Sequence, residues 1–243
     1  MTEPTNTPST PSTPAQSTPS TPSTPSTPAP TARVPPWKNP FVIAFFAGAL
    51  TLTVLPWLAS KTLRAPAPVA SLGEWTLVDQ DGKEIGSQSL RGQVWIASVF
   101  FSRCPSVCPK QQKDFASILP HLDDLTSPDK KPIRLVSFSV DPEFDTPEVL
   151  RSWATKHGAD LSRWSLVTGA ESDVRKLLID RMFLEVGQKT PVPGTDLFDI
   201  AHASRFVLVD QNGDVRGYWP TDDLGRGNLI NAARLIWKKG PRP

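Results

Sequence analysis

Two cysteines, Cys104 and Cys108, are the whole thiol complement of this 243-residue chain, and they lie four positions apart in Phe101-Ser102-Arg103-Cys104-Pro105-Ser106-Val107-Cys108-Pro109. Such a pair can close one disulfide, hold one soft metal ion, or cycle between these states. A passive staple explains it poorly, because closing so short a loop removes little chain entropy. Pro109 suits the first turn of a helix, and a helix N-terminus favours the thiolate of Cys108 by lowering its pKa. The pair is expected to be reactive, as a redox couple or as metal ligands.

Of the three histidines, His121 follows Pro120 beside Asp123 and Asp124, and His157 precedes Gly158 at an expected helix end. Both read as surface residues. His202 stands at the end of an expected long loop, just before a strand that starts near Arg205. By position it serves equally as a third ligand or as a satisfied loop histidine. Two thiolates and an imidazole form a soft set that suits Cu(I) and holds Cu(II) with added oxygen donors. Structural zinc usually takes four protein ligands, and no fourth cysteine or obvious histidine is at hand, so copper fits better than zinc.

The elements that position these residues follow from the apolar pattern. Residues 94–101 are apolar on both faces apart from Ser98, as in a central strand covered on both sides, and they run straight into the cysteines. A helix is expected over 109–119. A second strand covers 133–140 and ends at Asp141-Pro142, and a helix opens at Thr146-Pro147 and runs to His157-Gly158. A third strand over 164–167, a helix over 171–180, and a long loop over 186–199 come next. A hairpin of 205–209 and 215–219 turns at Asp210-Gln211-Asn212-Gly213-Asp214, before a last helix over 224–237. Another hairpin, around Asp81-Gly82, precedes this series as an N-terminal addition. Strands alternating with helices predict a mixed α/β layer, and the reactive motif at the first strand-to-helix turn narrows it to a thioredoxin-like fold. In such a sheet the strand ends at Phe101 and Val140 share one crevice, which brings Asp141 near the cysteines.

The chain before this domain is different in kind. Eleven of its 27 prolines precede residue 37, in Ser/Thr/Pro repeats that lack apolar side chains. Residues 1–36 are therefore expected to be a disordered tail. Phe41 to Ala59 carries no charge and is flanked by Lys38, Lys61 and Arg64, close to the ~20 residues a helix needs to cross a bilayer. Residues 37–61 are read as one transmembrane anchor, 62–70 as a linker and 71–243 as the thioredoxin-like domain. An exported, periplasmic position for that domain suits a thiol pair that forms a disulfide. The formal net charge of +2, from 26 basic and 24 acidic residues, with no basic run and interleaved aromatics, argues against nucleic acid as a partner.

Cys104-Pro105-Ser106-Val107-Cys108-Pro109 is similar to the CPxxCP motif of the Sco/SenC proteins. Ser139-Val140-Asp141-Pro142-Glu143 with Asp145-Thr146-Pro147, then Leu166-Val167-Thr168-Gly169, His202, Leu208-Val209-Asp210, Gly213 and Gly217-Tyr218 extend the resemblance in order over most of residues 70–240. It implies a membrane-anchored copper-binding factor that assists assembly of the dinuclear copper site in cytochrome c oxidase subunit II. Cys104, Cys108 and His202 become the copper ligands, and other copper chaperones and a thiol reductant become further partners. Asp141 is implied either as a carboxylate that tunes the site or as a helix-entry turn residue. The Ser/Thr/Pro tail lies outside the family's common core, and Asp199-Ile200-Ala201 matches only loosely.

An enzymatic reading uses the same pair, as a thiol-disulfide oxidoreductase or a peroxidase-like relative with Arg103 beside the thiol. The three-residue spacer and the late histidine favour copper over simple disulfide exchange.

Overall fold

The structure, a computed structural model, describes residues 35, 38–62, 65–104, 108–194, 198–202 and 204–241; at 57–62 and 108–109 it describes the backbone alone. The expected tail, apart from residue 35, lies outside the described residues. Helix α1 (Pro40–Thr62) contains Pro56 and no acidic first turn. Asn39 caps it by accepting from the Phe41 amide at 3.0 Å, and Thr51 and Thr53 donate back to the carbonyls of Ala47 and Ala49. Among the described residues, whose side chains in this helix end at Pro56, no helix is long and apolar enough to cross a membrane.

From Ala65 onward the chain forms an eight-stranded sheet in the order β1-β10-β9-β4-β5-β6-β2-β3. The strands are β1 (Ala70–Ser71), β2 (Thr76–Asp79), β3 (Glu84–Gly86), β4 (Trp95–Phe100), β5 (Arg134–Ser139), β6 (Trp164–Thr168), β9 (Arg205–Val209) and β10 (Asp214–Pro220). β4, β5 and β6 are parallel neighbours, and β9 runs antiparallel to β4 on its other side. Every residue of β4 is buried, as its unbroken apolar run predicts. The N-terminal hairpin β2–β3 is not an appendage, since β2 pairs with β6 and extends the sheet.

Side chains alternate across these strands and separate two packed faces. On one, Phe100 meets Trp153 of α4 (Pro147–His157), and Phe115 of α3 (Cys108–Ala116) lies between Trp164 and Phe206. On the other, Trp95 and Phe138 pack with Trp75. The short helix α2 (Ser87–Leu90) and the final helix α6 (Asp223–Lys239), capped by Asp222, complete the order.

Local signals act as their chemistry predicts. Thr146 caps α4 by accepting from the Val149 amide, Pro147 opens that helix, and Gly158 ends it at φ 65°. Asp210 accepts from the amides of Asn212 and Asp214, which closes the β9–β10 turn. Three expectations need correction. Helix α3 starts at Cys108 itself and stops at Ala116, after which Leu119–Leu122 is a 3-10 turn led by Pro120. The helix expected over 171–180 is α5 (Glu171–Arg175) followed by a π-helical turn, Lys176–Arg181.

The long loop over 186–199 contains β7 (Val186–Pro191), paired antiparallel with β8 (Phe198–His202). Pro191, Pro193 and Gly194 mask the strand signal, and most of β7 is exposed, so it has no apolar alternation to read.

Candidate metal centre

The carboxyl ends of β4 and β5 are level, with Phe100 opposite Ser139, so the cysteine turn and the Asp141–Asp145 turn leave the sheet side by side. Two carboxylates hold the residues that lead to Cys104. Asp145 accepts from the Ser102 amide at 3.1 Å, from the Ser102 hydroxyl, and from the Ser139 hydroxyl at 2.5 Å. Asp141 accepts from Arg103, at 2.6 Å from Nη2 and 3.2 Å from Nε, and its second oxygen lies 2.7 Å from Lys189 Nζ. Cys104 follows immediately and is buried.

The charges here are unequal in their cost. Both Asp141 and Asp145 are buried. Burial pushes the Asp145 carboxyl above its usual range, against the hydroxyls and amide that donate to it, and the Asp141 charge adds to the rise. Lys189 is held above the ordinary lysine value, first by Asp141 and then by Glu143 at 3.0 Å.

His202 ends β8. Its ring stands edge-on to Phe101, with centroids 6.4 Å apart and planes at 89°. Phe198, at the other end of β8, stacks on the same Phe101 ring at 5.6 Å. The structure therefore brings His202 to the residue three before Cys104. The Cys108 side chain lies outside the described residues, among which no group of three or more His, Cys, Asp and Glu is arranged to hold a metal ion. His121 and His157 are exposed, and His157 stacks on Trp153 at 4.3 Å.

Asp141 is a turn residue at the entry to α4, its carbonyl accepting from the Phe144 and Asp145 amides, and its side chain is at the same time the buried partner of two cations. Arg103 is turned into that ion pair and lies 3.8 Å over the Phe144 ring and 4.5 Å over Phe198. Its charge is thus paired within the fold. Lys189 and Phe198 escaped sequence reasoning, and Asp145 entered it only as part of the Asp-Thr-Pro match, with no role assigned.

A parallel core with a cysteine-bearing strand-to-helix turn at its carboxyl edge defines a thioredoxin-like protein. Within that class the chain belongs to the SCO1/SenC family, whose model matches residues 64–236. It is 32% identical over 145 residues to the SCO1 protein homolog of Bacillus subtilis, a match covering 58% of this chain and 69% of that protein. The Bacillus subtilis, Rickettsia prowazekii and Saccharomyces cerevisiae relatives are covered over 69%, 65% and 50% of their own length. A SCO1/SenC family lipoprotein from Bacillus anthracis superposes with a TM-score of 0.61 at 30% identity, over 72% of this chain and 99% of that one. BsSco, described as a member of the Sco family of cytochrome c oxidase assembly proteins with a disulfide switch, has a TM-score of 0.58 at 24% identity, over 71% and 97%. Copper-bound ScoI of Bradyrhizobium japonicum has a TM-score of 0.56 at 21% identity, over 68% and 98%, a likeness of fold.

Proposed function

We propose that this chain is a copper carrier in which Cys104, Cys108 and His202 bind the ion and pass it to the dinuclear copper site of cytochrome c oxidase subunit II. The observation that carries this reading is the placement of His202 against Phe101, beside the turn that holds Cys104. The donor set fits the cargo: two soft thiolates suit Cu(I), and the imidazole extends the set to Cu(II). Three protein ligands leave the ion open to an incoming thiolate or imidazole, so it can be exchanged stepwise to an acceptor. His202 also borders an apolar depression of about 620 Å³ with Ile179, Phe183, Leu184 and Val186, which leaves room for the acceptor on that side. Family membership and the copper-bound relative of like fold support the choice of ion.

Helix α1 is read as the membrane anchor. Its described side chains include Phe41, Phe45 and Leu52, all exposed, and the Thr51 and Thr53 hydroxyls are satisfied by its own backbone, as an apolar surrounding requires. The α/β domain then faces the extracytoplasmic side. Removal of residues 1–62 is expected to release the protein from membranes washed at alkaline pH.

The test is copper binding by the reduced full chain in detergent, with each ligand changed in turn. One copper per chain is expected. His202→Ala is expected to weaken Cu(II) binding by more than about 100-fold, beyond what changes outside the ligand set produce. Unchanged affinity in that variant sinks the assignment. His202→Ala is also expected to spare thiol-disulfide exchange by the same pair, which separates copper transfer from oxidoreductase activity.

A further inference from the structure

The hairpin β7–β8 lies outside the eight-stranded sheet, yet it carries His202. What fixes the hairpin therefore fixes the imidazole. Its free end is tied down by one compact group of side chains drawn from three segments. Arg103 comes from the cysteine turn, Asp141 and Phe144 from the turn after β5, and Lys189 and Phe198 from the hairpin. The Asp141 side chain is 0% exposed and carries Arg103 on one oxygen and Lys189 on the other, while the two cations are 38% and 41% exposed. Lys189 also lies 5.4 Å over the Phe198 ring, which stacks on Phe101. Phe198, Ile200 and His202 share one face of β8 by strand alternation. Ile200 is buried between the two rings that touch Phe101.

We infer that Lys189, acting with Asp141 and Arg103, is a positioning residue that latches the β7–β8 hairpin onto the cysteine turn and so sets where His202 stands relative to the thiols. The inference rests on the copper reading above. Its physical basis is direct. A desolvated carboxylate holds its cations far more tightly than an exposed one, so Asp141 anchors Lys189 even though the lysine reaches it from an open strand. The pairing of β7 with β8 is irregular between Val186 and Lys189. Arg175 donates to the Val186 and Gly187 carbonyls beside this irregularity, so the hairpin is held at two points, of which Lys189 is the one that reaches the residues of the cysteine turn.

The experiment compares Lys189→Met, Lys189→Arg and His202→Ala with wild type in the reduced full chain. Amide exchange of residues 198–202 is followed without metal, and Cu(II) affinity and nitrogen hyperfine coupling are followed with it. Lys189→Met is expected to speed exchange in β8 and weaken Cu(II) binding, each about tenfold, within the 10–100-fold range for groups that orient a ligand. The nitrogen coupling should weaken, and the thermal midpoint should stay within a few degrees of wild type because Arg103 still neutralises Asp141. Lys189→Arg should restore both. If Lys189→Met keeps wild-type exchange and affinity while His202→Ala loses copper, the latch is wrong and the copper site stands. If His202→Ala binds copper like wild type, the copper reading fails, and faster exchange in Lys189→Met supports the latch on its own.

Discussion

The His202 ring meets the Phe101 ring edge-on at 6.4 Å, although the two residues are 101 positions apart in the chain. Phe101 leads into the cysteine turn, and His202 ends a strand of a separate two-stranded sheet. Their contact is what makes one site out of two distant motifs, and the groups around it yield measurable expectations.

The Arg103–Asp141–Lys189 group should respond unequally to the loss of its charges. Arg103→Met with Lys189→Met leaves the Asp141 carboxylate buried without a cation, at a cost of about 3–5 kcal/mol. Asp141→Asn strands only the two cations, each more than a third exposed and able to hydrate, and costs about 1–2 kcal/mol. Urea unfolding ranks the variants; a larger loss for Asp141→Asn contradicts the argument.

Asp145 should leave a mark on the acid limb of stability. Its native pKa is raised above 3.8, chiefly by burial. The native chain therefore binds this proton more tightly than the unfolded chain does. Its contribution to stability is complete below about pH 3.8 and is lost as pH rises through the raised native value. Asp145→Asn removes that descent, so the unfolding free energy of the variant minus that of wild type should increase with pH across this window. Parallel pH profiles would rule it out.

A buried polar group ties α3 to the sheet beneath it. Gln112 Oε1 accepts from the Ser137 hydroxyl at 2.8 Å, Ser98 and Ser137 are 2.7 Å apart, and Trp164 Nε1 donates to Ser137 at 2.9 Å. Ser137→Ala leaves the indole N–H without its acceptor and should cost about 1–3 kcal/mol. Gln112→Leu keeps the serine pair and adds apolar burial, so its cost should be smaller. The two values come from denaturant titration, and the reverse order would show that the network is not organised through Ser137.

Phe183 has a left-handed backbone, φ 52°, and is 63% exposed as a residue. Little packing offsets the strain of that conformation, which is roughly 1–2 kcal/mol for a residue with a Cβ. Phe183→Gly is expected to stabilise the protein by up to about 1 kcal/mol, the gain being reduced by the backbone entropy that glycine loses. A lower unfolding midpoint would mean that the ring packs more than its exposure suggests.

Part of this protein is written locally in its residues. The apolar run of residues 94–101 specifies a buried central strand, Thr146-Pro147 and Gly158 specify both ends of α4, and Asp210 with Gly213 specifies a turn, because each signal acts within a few residues of itself. The Cys104–Cys108 spacing and its place at a strand-to-helix turn were legible for the same reason. The tertiary structure alone decided the rest. β7 and β8 exist because they pair with each other and rest on Phe101, and nothing in the proline-broken segment 186–199 announces that. Asp141 looks like a turn residue until folding buries it between Arg103 and Lys189, which lie 38 residues before it and 48 after it in the numbering. Periodicity and turn chemistry record short-range preference; the value of a charge or an imidazole depends on what the fold places beside it and on how much water it removes.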